Sequence, residues 1–221
     1  MTHSHPRQTP VASASLAQVY KGTLHNGDVV AVKVQRPDLR HMVSRDLVVM
    51  ARASEFYERF ARSFSADQTD YQAVLGAWGR GFYSELDFEA EAASQQHFID
   101  EVMPRVEGLY VPRVYHAYCG RRLLVTEWID GTKLTDGTPE DIKPLVALGV
   151  RAFLTQLLDV GTFHADPHPG NLMVTPQGQL AYLDFGMMGS LDAPTRLGMI
   201  RLLVNFVNRD AAEVSRTSSY E

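Results

Sequence analysis

Cysteine, long apolar runs and excess positive charge are all scarce in this sequence. Cys119 is the single cysteine among 221 residues, which excludes a disulfide within the chain. No apolar run approaches the roughly 18 residues that cross a bilayer, and the polar start from Met1 to Pro10 has no apolar segment of the kind found in secretory signals. The net charge is −5, so the basic field of a nucleic-acid-binding protein is not indicated.

The composition is otherwise that of a globular protein. Hydrophobic residues make up 45% of the chain and charged residues 21%, both close to the usual values. The length allows one large domain or two small lobes.

The most informative stretch runs from His164 to Asn171 and is followed by Asp184-Phe185-Gly186. Asp166 lies five positions before Asn171, and Asp184 follows Asp166 by 18 positions (184 − 166). This spacing matches D-x-x-x-x-N followed by D-F-G, as in protein kinases. There, one carboxylate orients the attacking group, while an amide oxygen and a second carboxylate hold magnesium on the nucleotide. The pattern predicts Asp166 as a catalytic residue and Asn171 and Asp184 as magnesium ligands.

A second interpretation of the same stretch is a metal site formed by histidines. His164 and His168 flank Asp166 in the order His-x-Asp-x-His, and these residue types can bind a transition metal. The neighbouring prolines and Asn171 favour a catalytic loop instead.

Lys33 ends the segment Val30-Ala31-Val32-Lys33, which is close to the V-A-I-K strand of kinases. A lysine on such a strand can reach the α- and β-phosphates of a nucleotide. A surface lysine on an edge strand is the plainer interpretation, and the motifs further along the chain favour the phosphate-binding one.

The segment from Pro10 to Val19 stands where a protein kinase has G-x-G-x-x-G, but alanine and serine replace the glycines. A backbone that carries Cβ atoms approaches phosphates less freely than glycine does. This is a departure from the protein-kinase pattern.

Four carboxylates crowd one stretch of predicted helix: Glu85, Asp87, Glu89 and Glu91. They form like-charged pairs at four-residue spacing, which cost some helix stability. We expect some of them to have a functional role, although an exposed acidic face is the alternative.

The order of predicted elements is a β-rich start with inserted helices, followed by a helical half. The predicted segments are β structure from Val11 to Gln35 with a hairpin turn at Asn26-Gly27, helices 39–64 and 70–102 (the second capped by Asp70), strands 110–117 and 123–127, a helix over 140–160, strands 172–174 and 180–183, and a helix over 194–207. The expected fold class is α+β and protein-kinase-like, with an N-lobe over 1–128 and a partial C-lobe over 129–221.

Five motifs in this order resemble those of the UbiB family, the aarF-domain-containing atypical kinases. They are the alanine-rich loop 12–20, the lysine strand 30–37, the acidic segment 85–92, the loop 164–171 and the segment 183–188. The amino-acid sequences of segments 183–188 and 207–210 are most similar to those of plastid and cyanobacterial members.

The resemblance implies a domain that binds ATP or ADP with magnesium. It implies that Lys33 contacts phosphates with Glu91 as its ion-pair partner, and that Glu85 and Asp87 form the family's acidic motif. The further nucleotide-binding residues that it implies are Ala12, Ser13, Ala14, Ser15 and Glu127. It also implies a role in isoprenoid quinone or prenyl-lipid metabolism, with a lipid or membrane surface and biosynthetic enzymes as partners. The implied location is the chloroplast, with the mitochondrion or a bacterial membrane as alternatives.

Two departures from the family lead us to expect a chain that is truncated at both ends. The family's N-terminal Lys-x-Gly-Gln motif is missing from this sequence, and the sequence ends soon after the helix that follows Asp184-Phe185-Gly186. Two other functions stay open. One is a small-molecule phosphotransferase similar to aminoglycoside or choline kinases, and the other is an inactive lipid-binding scaffold.

Overall fold

The computed structural model describes residues 9–13, 16–37, 39–61, 76, 79 and 86–208. The described α-helices are α1 Leu39–Ala61, α2 Phe88–Glu101, α3 Pro139–Leu154 and α4 Ala193–Val207. The described strands are β1 Ala12–Ser13, β2 Ala17–Thr23, β3 Val29–Gln35, β4 Leu109–Tyr110, β5 Leu123–Glu127, β6 Thr132–Lys133, β7 Thr162–His164, β8 Leu172–Val174, β9 Leu180–Tyr182 and β10 Met188–Ser190.

The chain divides into two compact units. Met1–Ala93 and Arg113–Trp128 form the first unit, and Ser94–Pro112 and Ile129–Glu221 form the second. The division differs from the single boundary after residue 128 expected from the sequence, since residues 94–112 belong to the second unit.

The first unit contains an antiparallel sheet in the order β1-β2-β3-β5. The β2–β3 hairpin turns at Asn26-Gly27 as expected, and Gly27 takes a φ of 93°, which glycine adopts without a steric penalty. In the ladder, Lys33 lies opposite Val19 on one side and Leu124 on the other. The sheet packs on a small core of five buried residues: Ala17, Phe88, Ala92, Val114 and Leu124.

The second unit is built on a larger core that includes three aromatic side chains. Phe98, on the second half of α2, packs against Tyr182 with ring centroids 5.3 Å apart and against Phe185 at 5.2 Å. A sheet in the order β4-β9-β8-β6 supplies further core residues, while β7 and β10 form a separate antiparallel pair. Aromatic pairs of this geometry add to the stabilisation that comes from apolar burial alone.

The helix predicted over 140–160 consists of two kinds of helix. Thr138 caps the N-terminus of α3 by accepting a hydrogen bond from the Asp141 amide (3.3 Å). Helix α3 ends at Leu154, and a π-helix continues over Thr155–Val160. The change of winding ends at Gly161, whose φ of 85° lies in the left-handed region.

The strand predicted over 110–117 is wrong for most of its length. Only Leu109–Tyr110 forms a strand, and His116–Tyr118 is a 3-10 turn. Pro112 has no N–H to donate to a ladder, which limits strand pairing at this point.

Two other predicted boundaries reach beyond the described residues. Residues 62–64 at the end of the first predicted helix, and the proposed cap Asp70 with most of 70–85, lie outside them. Among the helices that the structure describes, none combines the length and the hydropathy needed to cross a membrane.

Candidate functional site

Lys33 and Glu91 form a close ion pair in the first unit, although they lie 58 residues apart in the sequence. The Lys33 Nζ atom is 2.7 Å from Glu91 Oε1 and 3.0 Å from Glu91 Oε2. The side chain of Glu91 is 2% exposed and that of Lys33 is 23% exposed. A carboxylate this buried needs a partner of opposite charge, so the pair is demanded by burial as well as by geometry.

Two further contacts hold strand β3 against the start of α2, where the pair lies. The buried amide of Gln35, two residues after Lys33, donates to the Leu86 carbonyl (3.0 Å). The Phe88 ring lies 5.1 Å from the Lys33 ammonium, within the range of a cation–π contact. The lysine is therefore positioned by both the strand and the helix.

Asp87 is the N-terminal cap of α2 and not an interior helix residue. Its Oδ1 atom accepts hydrogen bonds from the amides of Glu89 (3.1 Å) and Ala90 (3.4 Å). Glu89 and Glu91 occupy the first turn, where the helix dipole favours negative charge. The stability cost predicted from like charges in mid-helix is thus wrong for this part of the stretch, while Glu85 lies outside the described residues.

The implied nucleotide-binding residues of the first unit have different surroundings. Ala12 and Ser13 are exposed on β1, and the Ser13 hydroxyl accepts from the Arg36 guanidinium (2.7 Å). Glu127 ends β5, and its Oε2 accepts from the Arg113 amide (3.2 Å). Ala14 and Ser15 lie outside the described residues.

In the second unit, Asn171 and Asp184 are brought to the same end of the β8–β9 hairpin. Leu172 pairs with Tyr182 in the antiparallel ladder, and the Leu183 amide donates to the Asn171 carbonyl (3.0 Å). The strands therefore place Asn171 directly before β8 and Asp184 two residues after β9. Asp184 Oδ1 accepts from the Gly186 amide (3.0 Å), which fixes the orientation of this carboxylate.

Asp166 lies in an exposed part of the loop that precedes Asn171. Its carboxylate is 3.8 Å from His168 Nε2, and both side chains are about half exposed, at 53% and 51%. His168 Nδ1 accepts from the Gly170 amide (3.0 Å), and a Cβ atom at position 170 would meet the His168 ring at 2.7 Å. Any larger residue at position 170 would therefore require the imidazole to move.

His164 is buried and connects the loop with the segment that contains Asp184. Its Nε2 atom lies 2.5 Å from the Asp184 carbonyl, and its Nδ1 atom accepts from the Asp166 amide (3.1 Å). The carbonyl can only accept, so the proton of the neutral ring is on Nε2. Burial lowers the pKa of His164, against the opposing effects of the Asp184 carbonyl and of the carboxylates of Asp184 and Asp166.

The histidine metal site weighed as an alternative has no support in the described part of the chain. No group of three or more His, Cys, Asp or Glu side chains there could hold a metal ion. Magnesium has other requirements: it takes oxygen ligands, keeps several waters and is bound through one or two carboxylates with substrate phosphates. The amide oxygen of Asn171 and the carboxylate of Asp184 fit this requirement by their chemistry.

Sequence reasoning missed one buried polar residue of this region. Gln156 is 1% exposed, and its Oε1 atom accepts from the His164 amide (2.8 Å). The available signal was a glutamine within the mainly apolar segment Phe153 to Leu158, where a buried polar side chain must find a partner.

Three features together define a protein-kinase-like domain. They are a lysine–glutamate pair between a strand and a helix, an Asp-x-x-x-x-Asn loop and an Asp-Phe-Gly segment. Comparison of the sequence with protein-family models identifies a family within this class. The chain belongs to the ABC1 atypical kinase-like family, whose model matches residues 2–218. The family resemblance seen in the five motifs is thereby confirmed.

Relatives of the chain occur in cyanobacteria and plants. It is 42% identical over 206 residues to an uncharacterized protein of Synechocystis sp., covering 91% of this chain and 30% of that protein. It is 37% identical over 213 residues to the protein ACTIVITY OF BC1 COMPLEX KINASE 3, chloroplastic, of Arabidopsis thaliana, covering 94% of this chain and 29% of that protein. The chain thus spans about a third or less of the length of these relatives.

A solved structure agrees with the family assignment. The Rv3197 protein of Mycobacterium tuberculosis, determined in complex with erythromycin, matches with a TM-score of 0.72 and 28% identity, covering 96% of this chain and 53% of that one. With the family match, this likeness confirms the α+β, protein-kinase-like fold expected from the sequence.

Proposed function

We propose that the chain is the nucleotide-binding part of an atypical kinase or ATPase that uses ATP, or ADP, with magnesium. The ion pair of Lys33 with the buried Glu91 is the observation that supports this most strongly. A lysine held by both oxygens of a buried carboxylate keeps a fixed position and a positive charge, as a phosphate-binding group requires.

In this proposal the residues of the two units have separate roles. Lys33 binds phosphate oxygens, with help from the backbone of the alanine-rich loop that contains Ala12 and Ser13. Asn171 and Asp184 are the residues that would hold magnesium, which when bound supplies positive charge against the phosphates. Asp166, whose carboxylate is exposed, accepts a hydrogen bond from the acceptor hydroxyl or from water and so orients it.

The biological setting is proposed from weaker support. The resemblance to UbiB-type proteins favours isoprenoid quinone or prenyl-lipid metabolism, with a lipid or membrane surface and the biosynthetic enzymes as partners. The chloroplastic designation of the Arabidopsis thaliana relative favours a plastid, and the Synechocystis relative favours a bacterial origin as the alternative.

A small-molecule phosphotransferase is the second candidate. The Rv3197 structure contains erythromycin, and the Asp-Pro-His-Pro-Gly-Asn segment 166–171 is also compatible with such enzymes. An inactive lipid-binding scaffold is the third candidate. In that case Lys33 would bind no phosphate, and Asn171 and Asp184 would bind no magnesium.

Magnesium-dependent ATP hydrolysis separates these candidates. The chain is assayed with and without vesicles of anionic phospholipid, beside Asp166→Asn, which keeps the size of the side chain but removes its charge. We expect hydrolysis that depends on magnesium, rises with vesicles and falls by at least about a hundredfold in the variant, the usual contribution of general acid–base groups.

Other outcomes favour the other candidates. Fast phosphorylation of a macrolide or amino alcohol, with slow hydrolysis in its absence, would favour the small-molecule phosphotransferase. A folded chain that shows no thermal shift with ADP and magnesium, yet still binds vesicles, would favour the scaffold.

A further inference from the structure

The helix that precedes the catalytic loop changes its winding where a buried glutamine meets that loop. The π-helix Thr155–Val160 follows α3 directly, and the Gly161 amide donates to the Gln156 carbonyl five residues earlier (2.8 Å). Such π-turns are rare and occur frequently at functional sites, because the extra residue rotates side chains away from the regular helical pattern. Two side chains of this turn are buried, Leu157 and the polar Gln156.

Both ends of the Gln156 amide group have partners. The Nε2 atom donates to the Ala152 carbonyl (3.1 Å), and the Oε1 atom accepts from the His164 amide (2.8 Å). The first bond stays within the helix, but the second reaches eight residues along the chain to β7. A glutamine that stabilised only the helix would need only the first bond. The second bond, to β7, therefore indicates an additional role.

Further hydrogen bonds connect His164, the partner in the second bond, with two candidate functional residues. The ring of His164 accepts from the Asp166 amide at Nδ1 and meets the Asp184 carbonyl at Nε2. His164 itself is 2% exposed, so its ring has little freedom once its backbone is held. Gln156 thus holds the backbone of the residue whose ring contacts the backbones of Asp166 and Asp184.

We propose that Gln156 is a positioning residue: by holding the His164 backbone from the π-helix, it sets where Asp166 and the magnesium ligand Asp184 lie. It touches neither nucleotide nor metal in this account. The proposal rests on the proposed function for the identity of the ligands, but not for the hydrogen bonds. Residues that orient metal ligands from behind typically change metal affinity by 10–100-fold when substituted.

The chain offers a matched control in a second buried glutamine of the same unit. Gln95 is 0% exposed, and its Nε2 atom donates to the Pro112 carbonyl (2.7 Å). Gln156→Met and Gln95→Met therefore both replace a buried amide with an apolar side chain of similar length. Only the first removes a bond to His164.

Two measurements test the proposal on the whole chain. The first is amide hydrogen exchange at His164 and Asp166, and the second is the ratio of ADP affinities measured with and without Mg²⁺. For Gln156→Met we expect exchange at both amides to accelerate by roughly tenfold or more, and the magnesium effect on ADP affinity to fall by at least about tenfold. For Gln95→Met we expect neither change, even if its overall stability falls by as much.

Gln156→Glu extends the test. Burial keeps its carboxyl group neutral, so it retains an oxygen that can accept from the His164 amide and an O–H that can donate to the Ala152 carbonyl. We expect slow exchange at His164 and a magnesium effect within about threefold of the unmodified chain, because the bond to His164 is kept. If Gln156→Met does not fold, this variant decides: slow exchange at His164 with the magnesium effect lost would overturn the proposal.

The remaining outcomes separate this inference from the proposed function. A folded Gln156→Met chain with slow exchange at both amides, or with acceleration at His164 alone, would contradict the positioning role. An unmodified chain whose ADP affinity ignores Mg²⁺ would contradict the proposed function instead, and the exchange at Asp166 would then decide the inference by itself.

Discussion

The two units hold their candidate functional side chains by different physical means. In the first unit, Lys33 is held by a charge, the carboxylate of Glu91, which is itself almost fully buried. In the second unit, Asp166 and Asp184 are held through backbone hydrogen bonds to the neutral ring of His164. The loops of the second unit also lie on an aromatic core around Phe185, whereas the first unit has a smaller core.

Different kinds of substitution should destabilise the two units. Removing one member of a buried ion pair leaves a charge in a place where it is poorly solvated, so one substitution has a large effect. A carboxylate held through its own backbone does not depend on a single partner charge. We therefore expect the first unit to be sensitive to charge changes and the second to changes in packing and backbone geometry.

The largest expected effect is that of Lys33→Met. The substitution takes the ammonium away from a carboxylate that is 2% exposed, and we expect the chain to lose about 3 kcal/mol of stability. Denaturant unfolding measures this loss. Lys33→Met combined with Glu91→Leu should recover much of it, because no charge then stays buried.

Lys21→Met is the matched control for that experiment. Lys21 lies on neighbouring β2 and is exposed, with its ammonium 4.6 Å from the centroid of the Trp128 ring. We expect a loss of less than about 1 kcal/mol. Equal losses for the two lysines would contradict the view that the Lys33–Glu91 pair holds the first unit together.

The second unit should respond to a backbone clash, as in Gly131→Ala. A Cβ atom at this position would lie 2.5 Å from the Val174 carbonyl oxygen, beside the short β6–β8 pairing. Backbone cannot move aside as a side chain can, so we expect a loss of about 2 kcal/mol. Thermal or denaturant unfolding measures it.

Gly198→Ala serves as the control for Gly131→Ala. Position 198 lies inside α4, and a Cβ atom there would meet nothing within 4 Å. Because alanine favours the helix, we expect a gain of about 0.5–1 kcal/mol. A loss at position 198, or no change at position 131, would show that the local backbone differs from the one described.

A smaller effect on stability is expected at alkaline pH, from a tyrosine in the core of the second unit. Burial raises the pKa of Tyr182 from 10.0 to about 12. Between these values the unfolded chain releases the proton while the folded chain keeps it, so stability falls as the pH rises through this window. Tyr182→Phe should remove this part of the pH dependence and change the stability near neutral pH by less than about 1 kcal/mol.

Unfolding of both proteins over a pH series from about 8 to 11 measures that difference, and other titrating groups cancel because they are common to both. Parallel stability curves for the unmodified chain and Tyr182→Phe would mean that the Tyr182 hydroxyl is not buried in the folded state.

The same contrast explains what could be predicted from the sequence. Asp166, Asn171 and Asp184 lie close together in the chain, so their spacing alone indicates a common site. Glu91 is 58 residues from Lys33 and is one of several nearby acidic residues, so the resemblance, and not the spacing, singled it out. Long-range pairs of this kind leave no local pattern.

Local competition between backbone conformations explains the remaining differences. The cap formed by Asp87 depends on where α2 begins, and sequence patterns locate helix ends poorly. The π-helix at Thr155–Val160 has the apolar pattern of an ordinary helix, so its winding and the role of Gln156 were not predicted. The hairpin at Asn26-Gly27 was predicted because its turn residues restrict the backbone directly.

The most direct test of the account is the affinity of ADP with and without Mg²⁺ in three chains: the unmodified chain, Lys33→Met and Asp184→Asn, each first shown to be folded. If the first unit supplies a phosphate-binding charge and the second a metal ligand, Lys33→Met weakens binding in both conditions. Asp184→Asn then removes the magnesium effect and leaves metal-free binding unchanged. A magnesium effect that survives in Asp184→Asn, or full ADP affinity in Lys33→Met, would contradict the account.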